Sequence, residues 1–137
     1  MKVFVDSSAW IAVFVVEDRY HELAALHYGE LLERGVRLVT SDYVLDETVT
    51  RLRYDVSHSL AVAFLDRIRR SQRLGSLSVF HVDPPVWGSA EALFRQRDDQ
   101  ALSFTDCTSF VLLQRTRVDE VFAFDQHFRM FGHVVRP

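Results

Sequence analysis

The chain has 137 residues, 48% of them apolar and 26% charged, with a formal net charge of −3. That length suits a single domain over 1–137, large enough to bury a core without staples, and the composition excludes a disordered chain. A negative balance excludes a protein that coats nucleic acid through bulk electrostatics, but it does not exclude a nuclease whose carboxylates are neutralised by a bound metal.

The opening run Lys2-Val3-Phe4-Val5 is β-branched and aromatic and predicts a short buried strand, with Asp6 where it ends. Ser8 to Val16 predicts a short buried helix, and Tyr20 to Arg34 a second, with Ala24, Tyr28 and Leu31 at helical spacing and Gly35 as its stop. Val36 to Thr40 is a strand. Ser41 and Asp42 are suited to cap a helix running to about Val56, with Leu45, Val49, Leu52 and Val56 as its inward stripe. After Ser57 and His58 a further helix carries Leu60, Ala61, Phe64, Leu65 and Ile68 inward and stops at Gly75. Leu77 to Val82 predicts a strand, and Asp83-Pro84-Pro85 opens a helix that ends in the polar run Arg95 to Gln100. Ser103-Phe104-Thr105-Asp106 starts the next helix, Glu120 to Phe124 is a strand, and His133 to Arg136 is a candidate last edge strand. Strands separated by helices require crossover connections, so the fold class is α/β: a three-layer sandwich with a mainly parallel central sheet flanked by helices.

The longest apolar run, Ala9 to Val16, is too short to span a membrane, and Asp6 interrupts any signal-peptide core. Cys107 is the sole cysteine, which rules out an intrachain disulfide and points to a reducing compartment; the expected location is the cytoplasm.

Ligands of open parallel sheets collect at the carboxyl ends of the strands. Asp6 and Asp125 both follow strands and so occupy equivalent ends, although each also suits a cap or a turn. Asp106 lies in the first turn of its helix, where Ser103-x-x-Asp106 has capping-box spacing and the helix dipole favours a negative charge. Advancing about 100° per residue, Glu47 falls nearly opposite the Leu45 stripe, with Tyr43, Thr50, Arg51 and Tyr54. That face is either solvated or lines a cleft in which Glu47 reaches a metal and Arg51 and Tyr54 are offered to phosphate and base. A second basic group, Arg67, Arg69, Arg70 and Arg73, crowds a helix C-terminus, where positive charge is favoured in any case.

Four segments in order resemble PIN-domain proteins, and specifically the VapC-type ribonuclease toxins of type II toxin–antitoxin pairs. They are Val5-Asp6-Ser7-Ser8-Ala9-Trp10, Thr40-Ser41-Asp42-Tyr43-Val44-Leu45-Asp46-Glu47, Ser103-Phe104-Thr105-Asp106, and Phe122-Ala123-Phe124-Asp125-Gln126-His127-Phe128. The resemblance implies a PIN-like fold over the whole chain and an acidic quartet, Asp6, Glu47, Asp106 and Asp125, that holds metal and carries catalysis. It also implies support by hydrogen bonds from Ser7 or Ser8 and from Thr105, an RNA substrate cut to a 5′-phosphate and a 3′-hydroxyl, a cognate antitoxin, and a homodimer. Convergent carboxylates raise one another's pKa unless a cation joins them, and oxygen-only ligands favour Mg²⁺, with Mn²⁺ able to substitute. Zinc is disfavoured, because the six histidines form no ligand-spaced set.

Rival readings have weaker support. An aspartyl-phosphate enzyme needs a partner lysine, and Lys2 is the only lysine; dinucleotide binding needs a G-x-G-x-x-G that no strand precedes. A PIN-like RNA-processing nuclease outside a toxin–antitoxin pair, and a non-catalytic PIN-like scaffold, stay open as alternatives.

Overall fold

A computed structural model describes all residues, Met1–Pro137. Five strands, β1 (Lys2–Val5), β2 (Arg37–Ser41), β3 (Leu77–Phe80), β4 (Glu120–Phe122) and β5 (Val135–Arg136), form one sheet in the order β3-β2-β1-β4-β5. All four pairings are parallel, so every strand ends at the same edge.

Seven helices connect them: α1 (Ser7–Phe14), α2 (His21–Glu33), α3 (Asp42–Asp55), α4 (His58–Arg73), α5 (Pro84–Gln96), α6 (Phe104–Arg115) and α7 (His127–Met130). The path from β1 through β2 to β3 runs one way across the sheet, and the path from β3 to β4 returns over it. Right-handed crossovers therefore put α1–α4 on one face and α5–α6 on the other. The strand order reverses at β1, whose neighbours are β2 and β4. Asp6 follows β1, so it stands at the switch point where open α/β sheets form their ligand crevice.

Local chemistry starts the helices where the sequence places them. Ser41, Ser57, Asp83 and Ser103 each accept the backbone N–H three residues on, which satisfies one of the unpaired donors of a helix N-terminus. Gly35 and Gly75, just past α2 and α4, take φ of +65° and +77°, a conformation only glycine adopts without strain.

One face of the sheet is filled by an aromatic cluster around Trp10. Its ring meets Phe64 at 5.7 Å and Tyr28 at 6.0 Å edge-on, and Phe14 meets Phe64 at 5.1 Å. The indole N–H donates to Thr40 Oγ1 at 3.3 Å, and that hydroxyl donates to the Val5 carbonyl at 2.9 Å, so the buried polar atoms are satisfied within the core.

Several expected boundaries move. The strands expected to reach Val82 and Phe124 stop at Phe80 and Phe122, because Val82 and Ala123-Phe124 keep apolar residues past the last ladder partner. Only Val135–Arg136 of the last predicted strand pairs with β4. Helix α7 is a single turn that the sequence reading leaves as an exit from β4. No helix is long and apolar enough to cross a membrane.

The largest correction concerns α3. Its buried residues are Val44, Thr48 and Leu52, while Leu45 and Val49 are partly buried and Val56 is exposed. Thr48 can occupy the inward stripe because its hydroxyl donates to the Val44 carbonyl at 2.8 Å within the helix. The true stripe is rotated from the expected one, and Glu47 lies about 100° from its centre, on its flank, rather than opposite it. Leu65 of α4, expected inward, is exposed.

Candidate active site

Asp6 leaves β1 and caps α1: its Oδ2 accepts the Ser8 backbone N–H at 3.2 Å and the Ser8 hydroxyl at 2.7 Å. The same Ser8 Oγ accepts the Phe124 N–H at 3.0 Å, which ties the exit of β4 to the exit of β1. One residue earlier, Ser7 Oγ donates to Glu47 Oε1 at 2.7 Å and draws α3 to α1. The two adjacent serines thus hold different acids.

Asp106 completes a capping box: its Oδ2 accepts the Ser103 N–H at 3.1 Å while its own N–H donates to Ser103 Oγ at 3.0 Å. Asp125 Oδ1 accepts the His127 N–H at 2.9 Å in an Asx-type turn. The local, structural reading of Asp6, Asp106 and Asp125 is therefore correct, whereas Glu47, half-buried and bonded to Ser7, is not on a solvated face. Yet each of the four spends only one oxygen on these bonds: Asp6 Oδ1, Glu47 Oε2, Asp106 Oδ1 and Asp125 Oδ2 make no hydrogen bond.

The four carboxylates are close enough to disturb one another. Asp6 is 3% exposed, and its carboxyl is pushed up from the ordinary 3.8 to about 7, first by burial and further by the charges of Asp106 and Glu47, against the lowering effect of Ser8. Asp106 is raised too, first by burial and then by Asp125 and Glu47. Every member of the predicted quartet is thereby linked to at least one other.

His127 joins this group. Its Nδ1 lies 2.8 Å from Asp125 Oδ1 and 3.9 Å from Asp106 Oδ2. The shorter contact is not aligned for a directed hydrogen bond, and Nδ1 is buried without a partner. Asp106, Asp125 and His127 offer donor atoms all within 4.8 Å of one another, a separation one cation can bridge. Half-buried like charges and an unpartnered ring nitrogen form a donor set suited to a divalent ion. His127 received no role in the sequence reading; the available signal was its position two residues after Asp125, the spacing at which an Asx turn folds a side chain back.

The remaining expected residues separate. Arg51 is exposed and lines a cavity together with Ser8 and Asp125. Tyr54 is 82% exposed and two helical turns beyond Glu47, about 10 Å along α3. The Thr105 hydroxyl makes no hydrogen bond; its carbonyl accepts the Thr108 hydroxyl at 2.7 Å.

An all-parallel α/β sheet that gathers acids at its switch point defines a class of protein with side chains that could hold a cation at a strand edge. The sequence matches the PIN domain family over residues 3–134, and the chain belongs to that family. Among curated proteins it is 31% identical over 137 residues to the 23S rRNA-specific endonuclease VapC20 of Mycobacterium tuberculosis, in strains CDC 1551 and H37Rv, covering 98% of each chain. The crystal structure of M. tuberculosis VapC20, a toxin that cleaves the sarcin–ricin loop, superposes with a TM-score of 0.82 over 98% of this chain and 99% of that one. VapBC2 from Rickettsia felis, bound to a DNA fragment from its promoter, has a TM-score of 0.66 at 11% identity, covering 99% of this chain and 98% of that one. FitAcB from Neisseria gonorrhoeae has a TM-score of 0.68 at 13% identity over 98% and 96%; at such identities the likeness is one of fold.

Proposed function

We propose that this protein is a metal-dependent endoribonuclease that hydrolyses RNA phosphodiesters with Mg²⁺, for which Mn²⁺ substitutes, and that it is the toxin of a toxin–antitoxin pair acting in the cytoplasm. The observation that carries this reading is the set of four carboxylates at one strand edge, each with one oxygen fixed by hydrogen bonding and the other left unbonded. A non-catalytic module gains nothing from holding Asp6 in a place that raises its carboxyl to about 7; a cation site does.

Asp6, Glu47, Asp106 and Asp125 would hold the ion, with His127 beside Asp106 and Asp125 as a nitrogen donor. When bound, the ion supplies Lewis-acid polarisation of the phosphoryl oxygen and lowers the pKa of an attacking water. The chain's own part is preorganisation. Ser8 fixes Asp6 through two bonds and Ser7 fixes Glu47 through one, so the free oxygens are held without reorganisation at the moment of reaction.

Glu47 and Asp125 are half-buried at the rim of the set, where a free oxygen, Oε2 or Oδ2, can take the proton that water loses as it attacks phosphorus. The bond from phosphorus to the 3′-oxygen breaks, the 3′-oxygen takes up a proton, and the products are a 3′-hydroxyl and a 5′-phosphate. The toxin reading, supported by the likeness to VapC20, extends to a cognate antitoxin that covers the acids and to a homodimer.

The test is to sequence the RNA ends made by purified protein with Mg²⁺ or Mn²⁺ beside an Asp6→Asn control. The reading predicts 5′-phosphate and 3′-hydroxyl ends that need the metal and vanish in the variant. Equal cutting by the variant, or cutting in EDTA, assigns the activity elsewhere.

A further inference from the structure

The cavity that contains Ser8 and Asp125 has a volume of about 270 Å³, and two arginines from different elements, Arg19 and Arg51, border it. They are placed by separate devices. The Arg19 guanidinium lies 4.7 Å above the Tyr20 ring, which is stacked on Phe124 at 4.5 Å with the rings 5° from parallel. Phe124 donates its N–H to the serine that holds Asp6. A continuous stack, Arg19 on Tyr20 on Phe124, thus sets one guanidinium in register with the acids. Arg51 sits one helical turn beyond Glu47 on α3, so the same helix delivers a carboxylate to the acidic set and a cation to the cavity next to it.

Neither arginine is neutralised. No carboxylate lies within salt-bridge distance of either, and the only ion pairs in the protein involve other residues. Asp18 also lines the cavity, but its Oδ1 is turned to the Tyr20 backbone N–H at 2.9 Å. Two unpaired guanidiniums in a cavity that Asp18 and Asp125 also line are conspicuous, because an ion pair with either is the ready alternative.

The other basic group lies elsewhere. Arg70 and Arg73 occupy the last turn of α4, and the chain enters β3 at Leu77 only a few residues later. Since all strands run in parallel, that is the amino edge of the sheet, opposite the acids.

We propose that Arg19 and Arg51 form the subsite for the RNA backbone phosphate next to the scissile one, so that the strand enters over the α1–α3 side of the acids and not over the α4 arginines. This deepens the ribonuclease reading and rests on it. The chemistry fits. A single-stranded polyanion that brings one phosphate to the acids must lay its neighbour close by, and guanidinium is the side chain suited to phosphate oxygens. The planar face that Arg19 turns away from Tyr20 also offers a stacking surface to a base.

The experiment measures cleavage kinetics on one RNA oligonucleotide that the parent cuts, at several salt concentrations, with Arg19→Ala, Arg51→Ala and Arg70→Ala/Arg73→Ala variants. Arg19→Ala and Arg51→Ala are each expected to raise KM about fivefold, with a smaller fall in kcat. Each is also expected to reduce the slope of log KM against log salt by about 0.7, the loss of one phosphate contact on a single strand. The Mn²⁺-induced rise in Tm of both variants should match the parent's, showing an intact acidic site, and the Arg70/Arg73 variant should behave as the parent throughout. Unchanged KM and salt slope in both single variants, or a loss confined to the Arg70/Arg73 variant, would overturn the subsite while leaving the ribonuclease reading intact. A parent that cuts no RNA with either metal would overturn both.

Discussion

At the amino edge of the sheet, Arg70 and Arg73 close the last turn of α4, where the partial negative charge of the helix end meets them and water surrounds them. At the carboxyl edge, Asp6, Glu47, Asp106 and Asp125 converge from four elements, and burial together with mutual repulsion raises the carboxyls of Asp6 and Asp106. Both edges concentrate one sign of charge. In the first, the helix dipole stabilises the charge and water solvates it; in the second, burial and neighbouring carboxylates outweigh the helix N-termini that favour Asp6 and Asp106. Charge held against its own electrostatics signals a missing partner, whereas charge where the backbone favours it signals ordinary helix termination.

Three variants probe that contrast. Asp106→Asn keeps the acceptor needed for the capping box but removes a charge from the crowded edge. Metal-dependent cleavage should fall on the order of 10²–10³-fold, while the metal-free Tm stays equal or rises because a like charge is gone; a large drop in metal-free Tm would show that Asp106 is chiefly structural. Ser7→Ala removes the hydroxyl that fixes Glu47 and should lower cleavage about 10- to 100-fold through a loosened ligand, read as kcat with a circular-dichroism check of fold. Arg70→Ala with Arg73→Ala, at the opposite edge, should cost only about 0.3–1 kcal/mol of stability and leave cleavage unchanged, measured by urea unfolding and the same assay.

Much of this architecture was legible in the sequence. Capping residues, positive-φ glycines and β-branched runs act locally, so Ser41, Ser57, Asp83, Gly35 and Gly75 punctuate the chain where the structure does. Strand ends were less legible, because Val82 and the run Ala123-Phe124 keep apolar residues after the ladder stops. The inward face of α3 was misassigned because Thr48 is fully buried, its hydroxyl satisfied within the helix, while Val56 is exposed at the helix end.

The quartet illustrates the same limit. Asp6, Asp106 and Asp125 each read alone as a cap or a turn residue, and each does serve as one; Glu47 reads alone as an exposed helix residue, yet it accepts the Ser7 hydroxyl from 40 residues away. Convergence is a property of the topology; strand ends alone bring Asp6 and Asp125 to one edge, and the full quartet follows in the sequence from the resemblance to a family. His127 was missed because a one-turn helix has no period to read.

The central claim is that one divalent cation is the missing partner of the carboxyl edge. Thermal unfolding with and without millimolar Mn²⁺ at pH 6 and pH 8, for the parent and for Asp6→Asn, tests it directly. Asp6 has its carboxyl raised to about 7 in the metal-free fold, so its protonated form stabilises the protein fully below pH 4 and that contribution is lost as pH rises through 7. Cation binding must displace that proton. The account predicts a metal-induced rise in Tm that is larger at pH 8 than at pH 6 and is largely lost in Asp6→Asn. No rise at either pH, or an equal rise in the variant, would contradict it.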